Sequence, residues 1–218
     1  MTDPPIVAVR GEAIRDVSPE IATVNVTVYA RDKDRQTALT RLSERARSLQ
    51  KVLDGYAAAT EERHTTGLSV YPQPRRTGDR VAEYSGSVST RLTVADLSVL
   101  GELMVAVASL EQTSVNGPWW ALRPDSPAYR DVRHAAIADA LTRAHEYAAA
   151  LGARIIALVE LSDAGGQAGG YQPMLLATAP RAAPGAEPPR LDLDPQPQRV
   201  TAAVTARFRI SEPTALSQ

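Results

Sequence analysis

The most regular pattern of apolar and polar residues runs from Pro118 to Asp163 and predicts a strand, a long helix and a second strand. Apolar residues recur at steps of three and four from Tyr129 to Leu151, which is typical of one face of an amphipathic helix. Ser126 and Pro127 are suited to the start of this helix, and Gly152 is suited to its C-terminal cap. Because the apolar face is rich in alanine, we expect a sheet to approach it closely.

A segment rich in apolar residues, with Ile155, Ile156, Leu158, Val159 and Leu161, directly follows the long helix and predicts a buried strand. With the preceding strand at Trp119, the helix would form a strand, helix, strand crossover. Such a crossover joins parallel strands of one sheet.

Other strands are predicted where apolar and polar residues alternate, because successive side chains of a strand point to opposite faces. The alternation is clearest in Glu20–Ala30, Val81–Val94 and Arg199–Ile210, and it predicts antiparallel strands with one buried face. The remaining predicted strands are Ile6–Gly11, His64–Pro74 with Leu68 and Val70 facing inward, and the strand at Trp119, which follows a turn at Asn116–Pro118.

Two shorter helices are also predicted. The first is capped by Asp34 and runs to Asp54, where Gly55 ends it, and the second starts at Asp96. The apolar residues of the first helix alternate steps of three and four. This heptad pattern stops too early for a coiled coil, so packing against a sheet is favoured.

The order of these elements predicts an α+β protein with mostly antiparallel sheets. Residues 20–122 read as β-α-β-β-α-β, the ferredoxin-like arrangement. This subdomain would be inserted in a second one, residues 1–19 plus 123–218, which is an α/β layer built on the long helix. The pattern leaves open whether the inserted part is a separate domain or one end of a continuous sheet.

Residues 163–198 change in composition and predict a long loop rich in glycine, proline and alanine. Its GGQAGG segment, Gly165–Gly170, lacks the following helix, the lysine and the acidic residue of nucleotide-binding loops. Asp192 and Asp194 lie between prolines, which favours solvated charges over an acid and base pair.

Composition narrows the classes of function. The chain has 218 residues, no cysteine and a net charge of −1, so it has no disulfide and no general attraction to nucleic acid or anionic membranes. No apolar run approaches the ~20 residues of a membrane span. The N-terminal sequence enters a strand without the basic and apolar regions of a signal peptide. This favours a cytoplasmic location, with a periplasmic or secreted one if a leader has been removed.

Residues with catalytic or ligating chemistry are scattered. His134 and His145 share one side of the long helix but lie ~16 Å apart along it, too far to bind one metal. His64 has no obvious partner in sequence. Ser85 and Ser87 flank Gly86 inside a strand, where a bulge or a close backbone approach is a better reading than a nucleophile. We expect no catalytic residue, no cofactor and no metal.

The two tryptophans, Trp119 and Trp120, are candidate interface residues. As neighbours on a strand they point to opposite faces, so one can enter the core while the other faces solvent, another chain or a second layer. Burial of both within the fold and an interface anchor remain alternatives, since tryptophan is enriched at binding hot spots.

A basic hairpin tip is the other candidate surface. Its residues are Arg75, Arg76 and Arg80, with Tyr84 nearby. Readers of single-stranded nucleic acid combine such charges with stacking aromatics, but the net charge of this chain favours a solvated turn. We expect a protein-contacting surface here rather than a nucleic-acid site.

Five segments, in order and spacing, resemble the SIMPL domain family. They are VAVRGEA, VSPEIATVNVTVYARDKD, YSGSVSTRLTVADLSVLGEL, RDVRHAAIADALTRAHEYAAALG and VTAAVTARFRI. The resemblance covers nearly the whole chain. It implies similarity to bacterial periplasmic and outer-membrane immunogenic antigens, some of which assemble into channel-like oligomers. It implies no enzymatic activity and supplies no catalytic residue.

Three hypotheses follow. The first is a non-enzymatic interaction or assembly protein that forms a homo-oligomer. The second is a module that binds a small molecule or peptide in the cleft between helix and sheet, beside the glycine- and proline-rich loop. The third is an unrecognised hydrolase. We expect self-association, with an unknown protein or small molecule as a further partner.

Overall fold

The computed structural model describes residues 4–74, 81–165 and 191–215. Its helices and antiparallel sheets confirm the α+β class. In chain order the elements are β1 (Ile6–Val17), β2 (Ile21–Asp32), α1 (Arg35–Asp54), β3 (Thr60–Pro74), β4 (Val81–Val94), α2 (Leu100–Ala108), β5 (Thr113–Ala121), α3 (Pro127–Ala150), β6 (Ile155–Asp163) and β7 (Gln198–Ile210). Short 3-10 helices at Ala57–Ala59 and Leu97–Val99 precede β3 and α2.

The chain forms two compact units. The inserted unit comprises Pro19–Leu122 and, among the described residues of the later loop, 191–196. The flanking unit comprises β1, α3, β6 and β7, and therefore combines segments from before and after the inserted unit.

The inserted unit has the ferredoxin-like topology. Its sheet has the order β3-β4-β2-β5 with every pair antiparallel. Alternation in β2 buries the side chains from Ala22 to Ala30 at every second position, as the sequence predicts. Leu42, Leu49 and Leu53 of α1 and the buried residues of α2 complete one apolar core on that face.

Local sequence explains why α1 begins and packs where it does. The Asp34 carboxylate accepts hydrogen bonds from the backbone N–H of Thr37 at 2.8 Å and from its hydroxyl at 2.9 Å, which caps the helix. At Gly86 of β4, an added Cβ would lie 3.0 Å from Leu42 Cδ2. Gly86 therefore leaves room for the Leu42 side chain, and α1 packs on a sheet rather than in a coiled coil. The bulge or close backbone approach predicted at Gly86 is wrong, because the pairing of β4 continues through it with Ala30 and Val70.

The flanking unit is a three-stranded antiparallel sheet with the order β1-β7-β6 and α3 on one face. The buried residues of α3 recur every four positions and are mostly alanine: Val132, Ala136, Ala140, Ala144 and Ala148. The small stripe lets β1 pass so close that a Cβ on Gly11 would overlap backbone atoms of Ala136 and Ala140. Ser126 caps α3, and Gly152 adopts a left-handed φ of +63°, as expected.

The predicted crossover around α3 is wrong. β5 pairs with β2 in the inserted unit, whereas β6 pairs with β7 in the flanking unit, so the two strands belong to different sheets. The sequence pattern identifies a strand, a helix and a strand but carries no information on pairing partners. The alanine stripe of α3 instead lies on β1 and β7.

The predicted turn at Asn116–Pro118 is also wrong, because these residues lie inside β5. Asn116 pairs with Asn25 and Trp119 with Thr23, and the ladder shifts register between them. Gly117 and Pro118, joined by a cis peptide bond, form this irregularity. Glycine and proline mark a break in regular pairing here, while the strand continues on both sides.

The described end of the long loop packs against the inserted unit. Leu193 contacts its apolar core, and the Leu191 carbonyl oxygen lies so close to Gly101 of α2 that an added Cβ would overlap it. Asp192 and Asp194 are exposed between these contacts, which agrees with their interpretation as solvated charges.

Candidate functional site

The largest run of exposed apolar side chains along one described element is on β6. Ile156, Leu158, Val159 and Leu161 expose between 46% and 58% of their surfaces. Among the described residues, β6 lies at the edge of its sheet and has β7 as its one hydrogen-bonded neighbour. The prediction that this run is a buried strand is therefore wrong.

The position of α3 explains this exposure. The helix packs mainly on β1 and on the central strand β7, and barely contacts β6. In the ladder, Leu158 stands opposite Phe208, which is buried beneath the helix. Because side chains opposite each other in a ladder share a face, Leu158 lies on the helix side of the sheet, beyond the cover of the helix.

Two irregularities interrupt the ladder of β6 with β7. The register shifts between Ile155 and Ala157 and again between Leu158 and Glu160, so Ile156 and Val159 have no partner in the ladder. Leu161 resumes the pairing opposite Ala206, another buried residue on the helix side. The irregularities thereby add two apolar side chains to this edge.

The opposite face of β6 is polar and already paired. Glu160 forms an ion pair with Arg207 of β7 at 3.3 Å, and the Ser162 hydroxyl donates to the Thr205 carbonyl oxygen at 3.5 Å. The exposed apolar surface is thus confined to the helix side of the strand and to its free edge.

One apolar residue of α3 extends this surface. Asp139 accepts a hydrogen bond from the backbone N–H of Glu12 at 2.9 Å, which places that flank of the helix over β1. Leu141 follows two residues later, about 200° around the helix axis, and so faces the flank nearer β6. Leu141 is 40% exposed. We call Leu141, Ile156, Leu158, Val159 and Leu161 the β6 edge surface.

The residues predicted as interface anchors lie in the inserted unit. Trp120 is half-buried and packs against the apolar core, and Trp119 is half-buried on the opposite face of β5, opposite Thr23. Tyr84 is half-buried near the start of β4, opposite Asp32. Arg75, Arg76 and Arg80 lie outside the described residues. An interface role for all six residues stays a prediction, and none belongs to the β6 edge surface.

The face of the four-stranded sheet opposite its helices is polar. Its hydroxyl groups bond across strands, with Thr27 to Ser89 at 3.0 Å and Ser69 to Ser87 at 2.9 Å. Arg91 donates from Nε to the Asn25 side-chain oxygen at 3.2 Å. These groups satisfy one another at the surface, which is the expected state of a solvated sheet face.

The titratable residues singled out by the sequence are not brought together. His134 and His145 are both exposed on α3, and His64 lies 3.5 Å from Glu62 on the exposed strand β3. In residues 4–74, 81–165 and 191–215, no group of three or more histidine, aspartate or glutamate side chains could hold a metal ion.

The shifted acidities have local structural causes. The pKa of Asp139 is lowered mainly because its carboxylate accepts the Glu12 backbone hydrogen bond, with a further contribution from Arg143 at 3.0 Å. Hydrogen bonds from Arg199 lower the pKa of Asp16 in the same way. Burial, with a hydrogen bond to Glu102 at 2.8 Å, raises the pKa of Tyr56. These partners hold helices and strands in place.

One shallow cleft lies between α1 and the strands β3 and β4. Its volume is about 100 Å³, and it is lined by Ala46, Leu49, Gln50, Leu53, Arg63, Thr65, Val88 and Thr90. Drug-sized ligands occupy pockets of roughly 300–1,000 Å³. The cleft involves neither tryptophan nor α3, the elements that the ligand-binding hypothesis names. That hypothesis and the hydrolase hypothesis stay predictions.

Sequence comparison identifies the relatives of this chain. The profile of the SIMPL family, described as a protein of unknown function (DUF541), matches residues 7–208. The chain is 29% identical over 175 residues to the 26 kDa periplasmic immunogenic proteins of Brucella melitensis biotype 1 and of Brucella abortus strain S19. Each alignment covers 74% of this chain and 68% of the relative.

Structural comparison adds no argument. A crystal structure of a hydantoinase/carbamoylase family amidase from Burkholderia ambifaria aligns with a TM-score of 0.31 at 12% identity. The alignment covers 50% of this chain and 30% of that one, a level of likeness from which neither fold nor activity follows.

The relatives bear on the predicted location. Both are named periplasmic, so the prediction of a cytoplasmic protein finds no support, whereas the periplasmic alternative agrees with their names. Among the described helices, none combines the length and the apolar composition of a membrane span.

Proposed function

This chain belongs to the SIMPL family, and from that premise we propose that it is a non-enzymatic assembly protein that forms a homo-oligomer. The observation that carries the proposal is the β6 edge surface, where exposed apolar side chains coincide with a strand edge that no other described strand pairs with.

The energetics of this surface support association. An edge strand presents unpaired N–H and C=O groups, and natural sheets blunt such edges with charges, prolines or a covering element. Full burial of one leucine or valine side chain contributes ~1.5–3 kcal/mol. Burying several half-exposed side chains in each copy would supply a substantial part of the free energy that association requires.

The described polar groups support a role without catalysis. The carboxylates with lowered pKa cap helices, hold β1 against α3 or pair strands. The cleft of about 100 Å³ between α1, β3 and β4 is lined mainly by apolar and neutral polar residues, with Arg63 as its charged member. Arg63 itself is paired with Asp54 at 2.8 Å.

We further propose a periplasmic location, supported by the names of the Brucella relatives. Because the chain has no cysteine, its folding does not depend on the redox state of the compartment. Fractionation of cells that express the native gene tests this proposal. Release with the periplasmic fraction is the expected result, and retention with cytoplasmic markers would contradict it.

Light scattering across a concentration series tests the assembly proposal. The expected result is a discrete multiple of the 23.3 kDa chain mass that persists at tens of micromolar protein. A single mass of 23.3 kDa throughout the series would overturn the proposal.

A further inference from the structure

We propose that two copies of this chain join β6 to β6, antiparallel, about a twofold axis. Their two three-stranded sheets would then form one continuous six-stranded sheet. This inference rests on the proposed self-association and specifies the surface and the symmetry that produce it. The argument comes from the contrast between β6 and the other edge strands.

The opposite edge of the same sheet is closed. On β1, the carboxylate of Asp139 already occupies the backbone N–H of Glu12 at 2.9 Å. Arg10 pairs with Glu12 at 2.6 Å, and Asp16 pairs with Arg199 at 2.9 Å. A strand that added to β1 would have to compete with Asp139 for the Glu12 N–H, so β1 is a poorer acceptor for β6 of another copy.

The edges of the other sheet are also blunted. β3 contains Pro72 and Pro74, which cannot donate to a ladder. β5 is interrupted at Gly117 and Pro118. β6, by contrast, carries exposed apolar side chains at four positions and contains no proline.

Although the other edge strands are poor partners for β6, the β6 strand of a second copy can pair with it. A twofold axis brings the same patch of both copies together, and closure of the pair prevents further addition at that edge. Antiparallel neighbours also match the sheet, in which every existing pair is antiparallel.

The side-chain arrangement favours this twofold pairing. Leu158 and Leu161 lie on the helix side of β6, so those of the two copies would meet between the two α3 helices, beside Leu141. On the other face, the Glu160–Arg207 pairs would remain in water. The pairing thus buries the apolar part of the surface and leaves the charged part solvated.

Disulfide trapping tests the geometry directly, because the chain contains no cysteine. Single substitutions Ile156→Cys, Val159→Cys and Ser162→Cys place one thiol at successive points along β6. In a twofold antiparallel pair, a residue near the axis faces its own copy, with the two Cβ atoms close to the ~3.5–4.5 Å separation that a disulfide needs. We expect strong cross-linking at one of the three positions under mild oxidation.

The control variant is Ile14→Cys on β1, an exposed apolar position at the opposite edge of the same sheet. It should give little dimer. Equal cross-linking at Ile14 and along β6 would indicate random collision and would overturn the inference.

A second measurement removes the apolar contact without covalent chemistry. Leu158→Lys should weaken self-association at least ~100-fold, because each copy loses a buried leucine and gains a charge at the axis. Leu68→Lys changes an even more exposed leucine on β3 and should leave the dissociation constant within ~3-fold of the wild-type value. Circular dichroism checks that both variants remain folded.

The outcomes separate this inference from the proposed function. If the wild type associates, but no β6 cysteine cross-links and Leu158→Lys keeps its affinity, the β6 pairing is wrong and the assembly proposal stands. If the wild type is monomeric at all concentrations, both fail. A monomer with slowly exchanging β6 amides would show that another segment of the same chain covers the strand, and this also overturns both.

Discussion

β3 and β6 are the edge strands of different sheets, and each lies beyond the main contact of the nearby helix. In the inserted unit α1 packs on β2 and β4, and in the flanking unit α3 packs on β1 and β7. Both strands therefore have an edge that no other described strand pairs with, and a face on which the nearby helix packs only in part. The two strands differ in how polar their exposed residues are.

The composition of β3 is suited to a strand that is exposed to solvent. Glu61, Glu62, Arg63 and His64 are exposed at its start, prolines occur at its end, and Leu68 stands between polar neighbours. β6 instead presents apolar residues at most positions from Ile155 to Leu161. The position of the helix thus determines which strand is exposed to solvent. The composition of that strand determines whether it stays solvated or favours association with another chain.

The largest effect expected from this comparison is the difference in unfolding free energy between losing a buried leucine and losing an exposed one. Leu49 of α1 is 2% exposed, whereas Leu68 of β3 is 69% exposed although its strand belongs to the same sheet. Leu49→Ala should lower the free energy of unfolding by ~3 kcal/mol, the usual cost of such a cavity. Leu68→Ala should change it by less than ~0.5 kcal/mol. Urea denaturation of both variants measures the difference.

The Leu68→Ala variant also tests whether the side chain of Leu68, which the sequence predicts to face inward, contributes to stability. Leu68 does lie on the helix side, opposite Val88, but no helix covers it fully. A loss of 2 kcal/mol or more in Leu68→Ala, with an unchanged oligomeric mass, would show that β3 is covered after all.

A smaller effect is expected at the two glycines of edge strands. Gly11→Ala on β1 would push against the α3 backbone and should destabilise the protein by ~2–3 kcal/mol, as overpacking does. At Gly67 on β3, an added Cβ meets nothing within 4 Å. Gly67→Ala should be neutral or slightly stabilising, because alanine loses less conformational entropy in a strand.

Thermal unfolding of both glycine variants gives the comparison. Equal midpoints for Gly11→Ala and Gly67→Ala would contradict the close packing of α3 on β1, and with it the explanation for the uncovered β6.

The smallest expected effect is the loss of the stability that the ionised Asp139 side chain contributes by binding the backbone of β1. The pKa of Asp139 is lowered below its ordinary value of 3.8, mainly by the Glu12 backbone hydrogen bond. Its ionised form therefore stabilises the folded state above that ordinary value, and the contribution is lost as the pH falls through the lowered pKa. Asp139→Asn should be less stable than wild type at pH 7 and should converge with it under strongly acidic conditions.

Asp131→Asn is the control for removal of a charge, since Asp131 is exposed on the same helix and pairs with its neighbour Arg130 at 3.6 Å. At pH 7 it should cost less stability than Asp139→Asn, because an ion pair between exposed neighbours contributes little. Equal losses of stability at pH 7 for the two variants would remove the special role of Asp139.

The sequence predicts most elements of this fold because their signals are local. The cap at Asp34, the left-handed Gly152 and the alternation of β2 each depend on a few neighbouring residues. Pairing is not local. The apolar run of β6 is compatible with a buried strand, and only the position of α3 over β1 and β7 shows that it is exposed.

The candidate site was harder to predict for the same reason. Trp119 and Trp120 attract attention by residue type, and the structure places at least Trp120 against the core. Leu158 and Leu161 look like ordinary core residues. One signal was present in the sequence: β6 lacks the regular alternation of β7.

The three-stranded sheet has a consequence for how the chain reaches its native state. Among the described strands, β1 pairs with β7, with Ile6 opposite Arg209, so this ladder cannot form until residue 209 has been synthesised. The core of the inserted unit lies mostly between Ala22 and Trp120, so its partners are available earlier and it can fold first. Because contacts between distant residues slow folding, β1 and α3 must wait with exposed apolar surface. Closure of the flanking unit is therefore the step at which a chaperone would be most useful.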